Sequence, residues 1–284
     1  MKFLILGSDK KAGHMIAIYL SENGHDVTCL EKAICKDCKS LNTSIYDRVL
    51  IQETITQDAY NAVVYCDTIV NDFAENDKEA AVYINAYLPH LLAKLTCILP
   101  TKVISVSTDC VFSGRKGRYS EFDFRDGESF YARTKALGEL YDDKNFTIRT
   151  SLVGPDINKD GIGLLNWFMK QSKQVKGYTR AMWTGITTLE LAKIIEQVAK
   201  QDAAGLENMV NNHIISKYDL LTMFSKNFKD GTVQIIADDN YIVDKSLIRG
   251  NRKINYEIPD YDIMFQELAN WLKNHQEDYP HYYL

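Results

Sequence analysis

No stretch of this sequence is apolar for the roughly 18–20 residues that a bilayer-spanning helix needs. No secretory pattern opens it: Met1-Lys2 runs straight into a strand-like segment. An excess of positive charge is missing too. The net charge of −5 argues against a generic nucleic-acid surface. The expectation is a cytoplasmic protein with neither nucleic acid nor membrane as partner. Metal-ligand spacing is also lacking. Cys35 and Cys38 form a single CxxC, without a second pair or a close pair of histidines, so no metal site is expected. Both cysteines read as incidental thiols. Cys29, Cys66, Cys97 and Cys110 lie in or beside apolar runs and read as reduced core thiols. Repeats, low-complexity tracts and linkers are absent.

What is there is ordinary globular material. Of 284 residues, 45% are hydrophobic and 25% charged, enough for a core domain and a smaller lobe. Through the first half, short apolar runs alternate with helical spacing. "KFLIL", "DVTCL", "NAVVYC", "KVISVS" and "FTIRTS" read as strands. Residues 12–22, 76–95 and 129–142 read as helices, the second kinked or broken by Pro89. This alternation predicts an α/β fold with a doubly wound parallel sheet covered on both faces. Ligands then bind outside the carboxyl ends of the strands. Residues 7–13, 66–72 and 107–114 fall at such ends. After about residue 152 the alternation weakens. We expect a dinucleotide-binding domain carrying the catalytic residues over 1–152. A smaller C-terminal substrate lobe, interleaved with the core, is expected over 153–284.

"YARTK" sets Tyr131 and Lys135 four residues apart on an expected helix, with Cβ atoms roughly 5–6 Å apart on one face. An ammonium beside a phenol favours the phenolate. A tyrosine so tuned can give a proton to a carbonyl oxygen as hydride arrives. Upstream, Ser107-Thr108-Asp109 ends a strand, where a hydroxyl can bond the same oxygen.

These segments resemble the extended short-chain dehydrogenase/reductases, and among them the dTDP-4-dehydrorhamnose reductase family of nucleotide-sugar reductases. "STDCVFSG" at 107–114, "FYARTKALGE" at 130–139 and "IRTSLVGP" at 148–155 carry the likeness. "NDFAENDKEAAVYIN" at 71–85 extends it, including Asn85, and "VDKSL" at 243–247 matches more loosely. The resemblance implies a Rossmann-like fold and reduction of a keto group on a nucleotide-diphosphate sugar, for polysaccharide precursor synthesis. It implies NADH or NADPH as the hydride source, since no side chain can supply one. It further implies Tyr131 as general acid, Lys135 tuning it and holding the nicotinamide ribose, and Thr108 orienting the carbonyl. Asp109 is placed beside the substrate.

Three departures from the family pattern stand out. In "GSDKKAGH" the family's glycines fall at positions 7, 10 and 13; Gly7 and Gly13 are present, but position 10 is Lys. Lys is strained at the positive φ a glycine tolerates. Either Lys10 or Lys11 meets phosphate, or dinucleotide binding is weakened, or both lysines face water. Ala12 belongs to the same loop. In the loop after the third strand, where the family's small residues let the cofactor lie close, stand Tyr65-Cys66-Asp67-Thr68. The resemblance sets Tyr65, Cys66 and Asp67 at the cofactor, with Asp67 pointing away from the pyrophosphate or meeting a ribose hydroxyl. A third departure is Leu152 and Gly154, where the family has Trp and Tyr facing substrate; this implies a different sugar. Glu31 ends the second strand, where an acid binds the adenosine ribose and favours NAD; Lys32 would tolerate a 2′-phosphate.

In "GYTRAMWTGITT", Tyr178, Arg180 and Trp183 could stack on a base or meet a diphosphate, or simply pack the lobe. Arg249, Arg252 and Lys253 could meet a diphosphate or face water. The aromatic tail "DYPHYYL" packs on the lobe or in a homodimer contact. A non-catalytic sugar-nucleotide-binding or regulatory subunit is the alternative reading. An epimerase or dehydratase is a third, and Cys110 after Asp109 disfavours the dehydratase.

Overall fold

The computed structural model describes residues 1–33 and 35–282. Six strands of the N-terminal half are β1 (Lys2–Leu6), β2 (Asp26–Cys29), β3 (Lys39–Ser40), β4 (Ala62–Tyr65), β5 (Lys102–Thr108) and β6 (Phe146–Thr150). Two short strands, β7 (Leu152–Val153) and β9 (Ile186–Thr187), flank the long β8 (Gln174–Trp183). Then follow β10 (Gly205–Asn208), β11 (Ile215–Ser216) and β12 (Gln234–Asp244). The main sheet has seven strands in the order β10-β6-β5-β4-β1-β2-β3, all pairs parallel.

Side chains alternate across it. Phe3, Ile5, Ala62 and Val64 enter one buried cluster, while Leu4, Leu6, Val63 and Tyr65 enter the other. Both faces are therefore covered, as apolar parallel strands require. The helices doing so begin with α1 (Gly13–Glu22), α2 (Arg48–Gln57), α3 (Asn71–Asn76), α4 (Lys78–Ala81), α5 (Leu88–Leu95) and α6 (Phe130–Leu137). From the second half come α7 (Leu164–Met169), α8 (Thr188–Lys200), α9 (Lys217–Phe228) and α10 (Tyr261–Asn274). The strand order reverses between β1 and β4, which opens a crevice at their carboxyl ends.

Residues beyond 152 divide between two tasks. β10 is the edge of the main sheet and α8 packs against α1, so part of this half builds the core. β8, β11 and β12 form a separate three-stranded sheet with α9 against it.

Several expectations need correction. The 76–95 stretch breaks at Asp77, between α3 and α4, and widens into a π-helical turn at Val82–Tyr87; it does not break at Pro89. Pro89 lies just after that turn inside a continuous helical run, its missing N–H falling where the π turn passes into α5. Cys35 and Cys38 are not independent thiols: their Cα atoms are 5.3 Å apart, within disulfide range, and they are bonded to each other. Cys29 and Cys66 are buried, but Cys97 is exposed and Cys110 only half-buried. The basic cluster is structural in part. Arg249 pairs with Glu207 and donates to the carbonyls of Tyr256 and Ile254, while Arg252 pairs with Glu257.

Candidate active site

The crevice holds a cavity of about 450 Å³. Lys10, Lys11 and Ala12 line it after β1, Cys66 and Thr68 after β4, and Thr108, Asp109 and Cys110 after β5. Tyr131 and Lys135 of α6 and Leu152 and Asp156 after β6 close the wall. Two elements present the reacting groups. Thr108 caps a 3-10 turn at Asp109–Val111: its Oγ1 accepts from the Cys110 amide at 3.1 Å and donates to Asp109 at 3.2 Å. Ser129 caps α6 by accepting from the Ala132 amide, which sets Tyr131 and Lys135 one turn apart on the helix face toward β5.

The charges differ from the expectation. Burial raises the Tyr131 phenol, Cys110 adds to the rise, and the hydroxyls of Thr108 and Thr68 oppose it. Lys135 is not what faces that phenol. Its ammonium donates to the carbonyl of Val106 at 2.8 Å, and burial lowers it to about 8 against the pull of Glu139 and Asp67. The protein by itself therefore does not lower the Tyr131 phenol.

Asn85, in the π turn, organises the next layer. Its Oδ1 accepts from the Thr68 hydroxyl at 3.1 Å and the Ile69 amide at 3.0 Å. Its Nδ2 donates to Thr134 on α6 at 3.1 Å. Beneath Thr108, Ser107 donates to Glu139 at 2.7 Å, and Arg149 grips Glu139 with two bonds of 2.8 Å.

The glycine loop resolves the first departure. Gly7 alone takes the left-handed turn, at φ +88°, and a Cβ there would meet the Asp67 amide at 2.6 Å. A Cβ on Gly13 would fall 1.9 Å from the Gly7 carbonyl, so helix and strand touch through bare backbone. Lys10 is not among the residues with positive φ, so the strain expected there is absent. Its amide closes a turn onto the Gly7 carbonyl at 3.0 Å. Its ammonium meets Asp9 at 3.1 Å. Burial would lower that ammonium, but Asp67, Asp9 and Glu31 hold it above its ordinary value. The second departure thus offsets the first: burial raises the Asp67 carboxyl, and the Lys10 charge opposes that rise. Lys11 turns the other way, toward Gly163 and Asp156, and burial lowers it.

Tyr65 is a correction. Period-two alternation sends it to the far face of the sheet, where its hydroxyl donates to the Ile84 carbonyl at 2.5 Å. Cys66, one residue on, faces the cavity. Glu31 reaches under the loop, with Oε2 accepting from the Gly7 amide at 3.0 Å and the Ser8 hydroxyl at 3.3 Å. Its Oε1 is buried without a partner among the described residues. Lys32 is exposed.

A second cavity of about 470 Å³ adjoins the first and shares Asp109, Cys110, Ser151 and Leu164 with it. Trp183 lies here, stacked on Tyr261 at 5.6 Å, with the Lys217 ammonium 5.0 Å from its ring centre. Burial lowers Lys217 to about 8, against the pull of Asp109. Tyr178 and Tyr241 lie 5.1 Å apart on its wall. Thr68 lies in the 66–72 segment singled out from the sequence, whereas Lys217, Tyr241, Lys245 and Asp156 escaped the sequence reading as site residues. Only Lys245 falls in a quoted segment, "VDKSL"; Lys217 and Tyr241 join it at the second cavity because β8, β12 and α9 pack together.

A parallel sheet with a switch-point crevice and a glycine turn into α1 define a doubly wound α/β protein. The chain belongs to the family described as RmlD substrate binding domain, whose model matches residues 1–241. A curated relative, the dTDP-4-dehydrorhamnose reductase of Mycolicibacterium smegmatis, is 28% identical over 141 residues. That match covers 49% of this chain and only 40% of the relative's length. The fold is shared with a dTDP-4-dehydrorhamnose reductase of Clostridium acetobutylicum: TM-score 0.77, 22% identity, 96% of this chain and 100% of that one. It is also shared with the Bacillus anthracis reductase solved in complex with NADP: TM-score 0.77, 18% identity, 95% and 99% covered. A UDP-glucose 4-epimerase of Thermotoga maritima has the same fold at 12% identity, with TM-score 0.76 and 97% and 99% covered.

Proposed function

We propose that this chain is an enzyme that reduces a keto group on a nucleotide-diphosphate sugar, with NADH or NADPH as reductant. The observation that carries the reading is the gathering of Thr108, Tyr131 and Lys135 on one cavity wall, opposite the start of α1. The residues fit a dinucleotide. Gly7 and Gly13 leave bare backbone at the turn, and Lys11 and Ala12 stand at the N-terminal end of α1, which favours anions. The orphaned Oε1 of Glu31 suits a ribose hydroxyl. Bound there, the nicotinamide would supply the hydride.

The chain's own residues do the rest. Tyr131, whose phenol burial keeps protonated, gives its proton to the sugar's carbonyl oxygen. Thr108 orients that oxygen by turning its hydroxyl hydrogen from Asp109 to it, while the Cys110 amide goes on holding the Thr108 oxygen. Lys135 holds a ribose hydroxyl from the same helix. The second cavity takes the nucleotide, its base against Trp183 or the Tyr178–Tyr241 pair, with Lys217 and Lys245 facing the diphosphate.

Asp109 and Leu152 flank the sugar. Leu152 lines the pocket where the family pattern has Trp, so the sugar differs from dehydrorhamnose in the part it meets; Gly154 packs on Thr188 outside the cavity. The reading carries with it a place in polysaccharide precursor synthesis, a cytoplasmic location and a homodimer, tested by fractionation and by mass in solution. The direct test is NADH and NADPH consumption with a panel of dTDP- and UDP-linked 4-keto sugars. No turnover with any of them, and no thermal shift with either dinucleotide, would sink the reading.

A further inference from the structure

The last turn of the chain lies beyond the residues matched by the family, 1–241, yet it reaches both walls of the first cavity. Tyr279 and Tyr282 are buried, with ring centres 6.2 Å apart. The Tyr279 hydroxyl meets His14 Nε2 at 2.8 Å, and His14 Nδ1 meets the Lys10 carbonyl at 3.0 Å. A carbonyl can only accept, so Nδ1 carries the hydrogen, Nε2 accepts, and Tyr279 donates. The opposite wall is held the same way. The Tyr282 hydroxyl accepts from the Asp156 amide at 2.9 Å and donates to Asn166 Oδ1 at 2.9 Å. Asp156 in turn accepts from the Gly163 amide at 2.9 Å. Gln276 donates to the carbonyls of both tyrosines, so the two hydroxyls are parts of one unit.

We propose that this C-terminal turn is a strap across the cofactor cleft, with Tyr279 and Tyr282 as positioning residues, one for each wall. The proposal rests on the dinucleotide reading above. Its physical logic is the anchored loop. The Lys10 carbonyl is tied down by the His14 amide at 3.2 Å and by the His14 ring. The strap fixes that ring. Removing the Tyr279 hydroxyl strands a buried acceptor on His14, and removing that of Tyr282 strands the Asp156 N–H.

The test is calorimetric titration of wild type, Tyr279→Phe and Tyr282→Phe with NADH, NADPH and, separately, UDP and dTDP as probes of the second cavity. Each variant is expected to weaken dinucleotide binding roughly tenfold while moving the better nucleoside diphosphate by no more than about twofold. Hydrogen exchange without cofactor should quicken over residues 8–14 in Tyr279→Phe and over 154–166 in Tyr282→Phe. A merely structural role would weaken both ligand classes alike and overturns the strap, as do variants that bind dinucleotide like wild type. Wild type that binds no dinucleotide overturns the functional reading and the strap together. Should a variant not fold, exchange in wild type decides. Dinucleotide should slow the amides of 276–282, and no change there overturns the proposal.

Discussion

Lys135 donates its ammonium to the carbonyl of Val106 at 2.8 Å, tying α6 to the strand that ends in Thr108. This residue is thereby part of the scaffold. Burial lowers it to about 8, so above that pH it is largely neutral. An anionic ligand in the cleft favours the charged form. Dinucleotide binding at pH 9 should therefore take up protons, and less so in Lys135→Met. Titrations in buffers of different ionisation heat measure that uptake; equal uptake in both proteins counts against the assignment.

Tyr131→Phe removes only the hydroxyl from a buried ring. The fold should persist, shown by an unchanged circular dichroism spectrum. Turnover should fall by about 10²–10⁴-fold, the usual span for a positioned acid. Normal turnover in this variant would move the proton donor elsewhere.

Glu139 and Arg149 form an ion pair with neither side chain exposed, and Ser107 and Tyr141 also donate to Glu139. Breaking one side leaves a buried guanidinium unpaired. Glu139→Gln should cost about 3–5 kcal/mol in urea denaturation. A loss below about 1 kcal/mol would show that water reaches the site.

His14 is buried, and burial lowers it to about 4 from an ordinary 6.5. Above pH 6.5 it is neutral folded or unfolded. Between 6.5 and 4 the unfolded chain binds the extra proton, so stability is lost as pH falls through that window. The loss approaches about 3 kcal/mol near pH 4. Denaturation midpoints at pH 7 and 4.5, for wild type and His14→Gln, measure it; the variant should show the smaller drop.

The parallel sheet and the gathering of Thr108, Tyr131 and Lys135 at its carboxyl edge were legible in the sequence. Short apolar runs alternating with helical spacing, and a helix-spaced pair, are local patterns, and local geometry determines them. The sequence by itself also determined that Gly7 and Gly13 frame a turn, because only a bare backbone fits both positions. The tertiary structure decided what pattern cannot express. It sent Tyr65 to the far face and Cys66 to the cavity, set Lys10 against Asp67, and turned Lys135 toward Val106 rather than toward the phenol. It brought Lys217 and Tyr241 to Trp183, and Tyr279 to His14 across 265 positions of chain. Those relations depend on which buried groups face each other after packing, and burial sets both their partners and their charge.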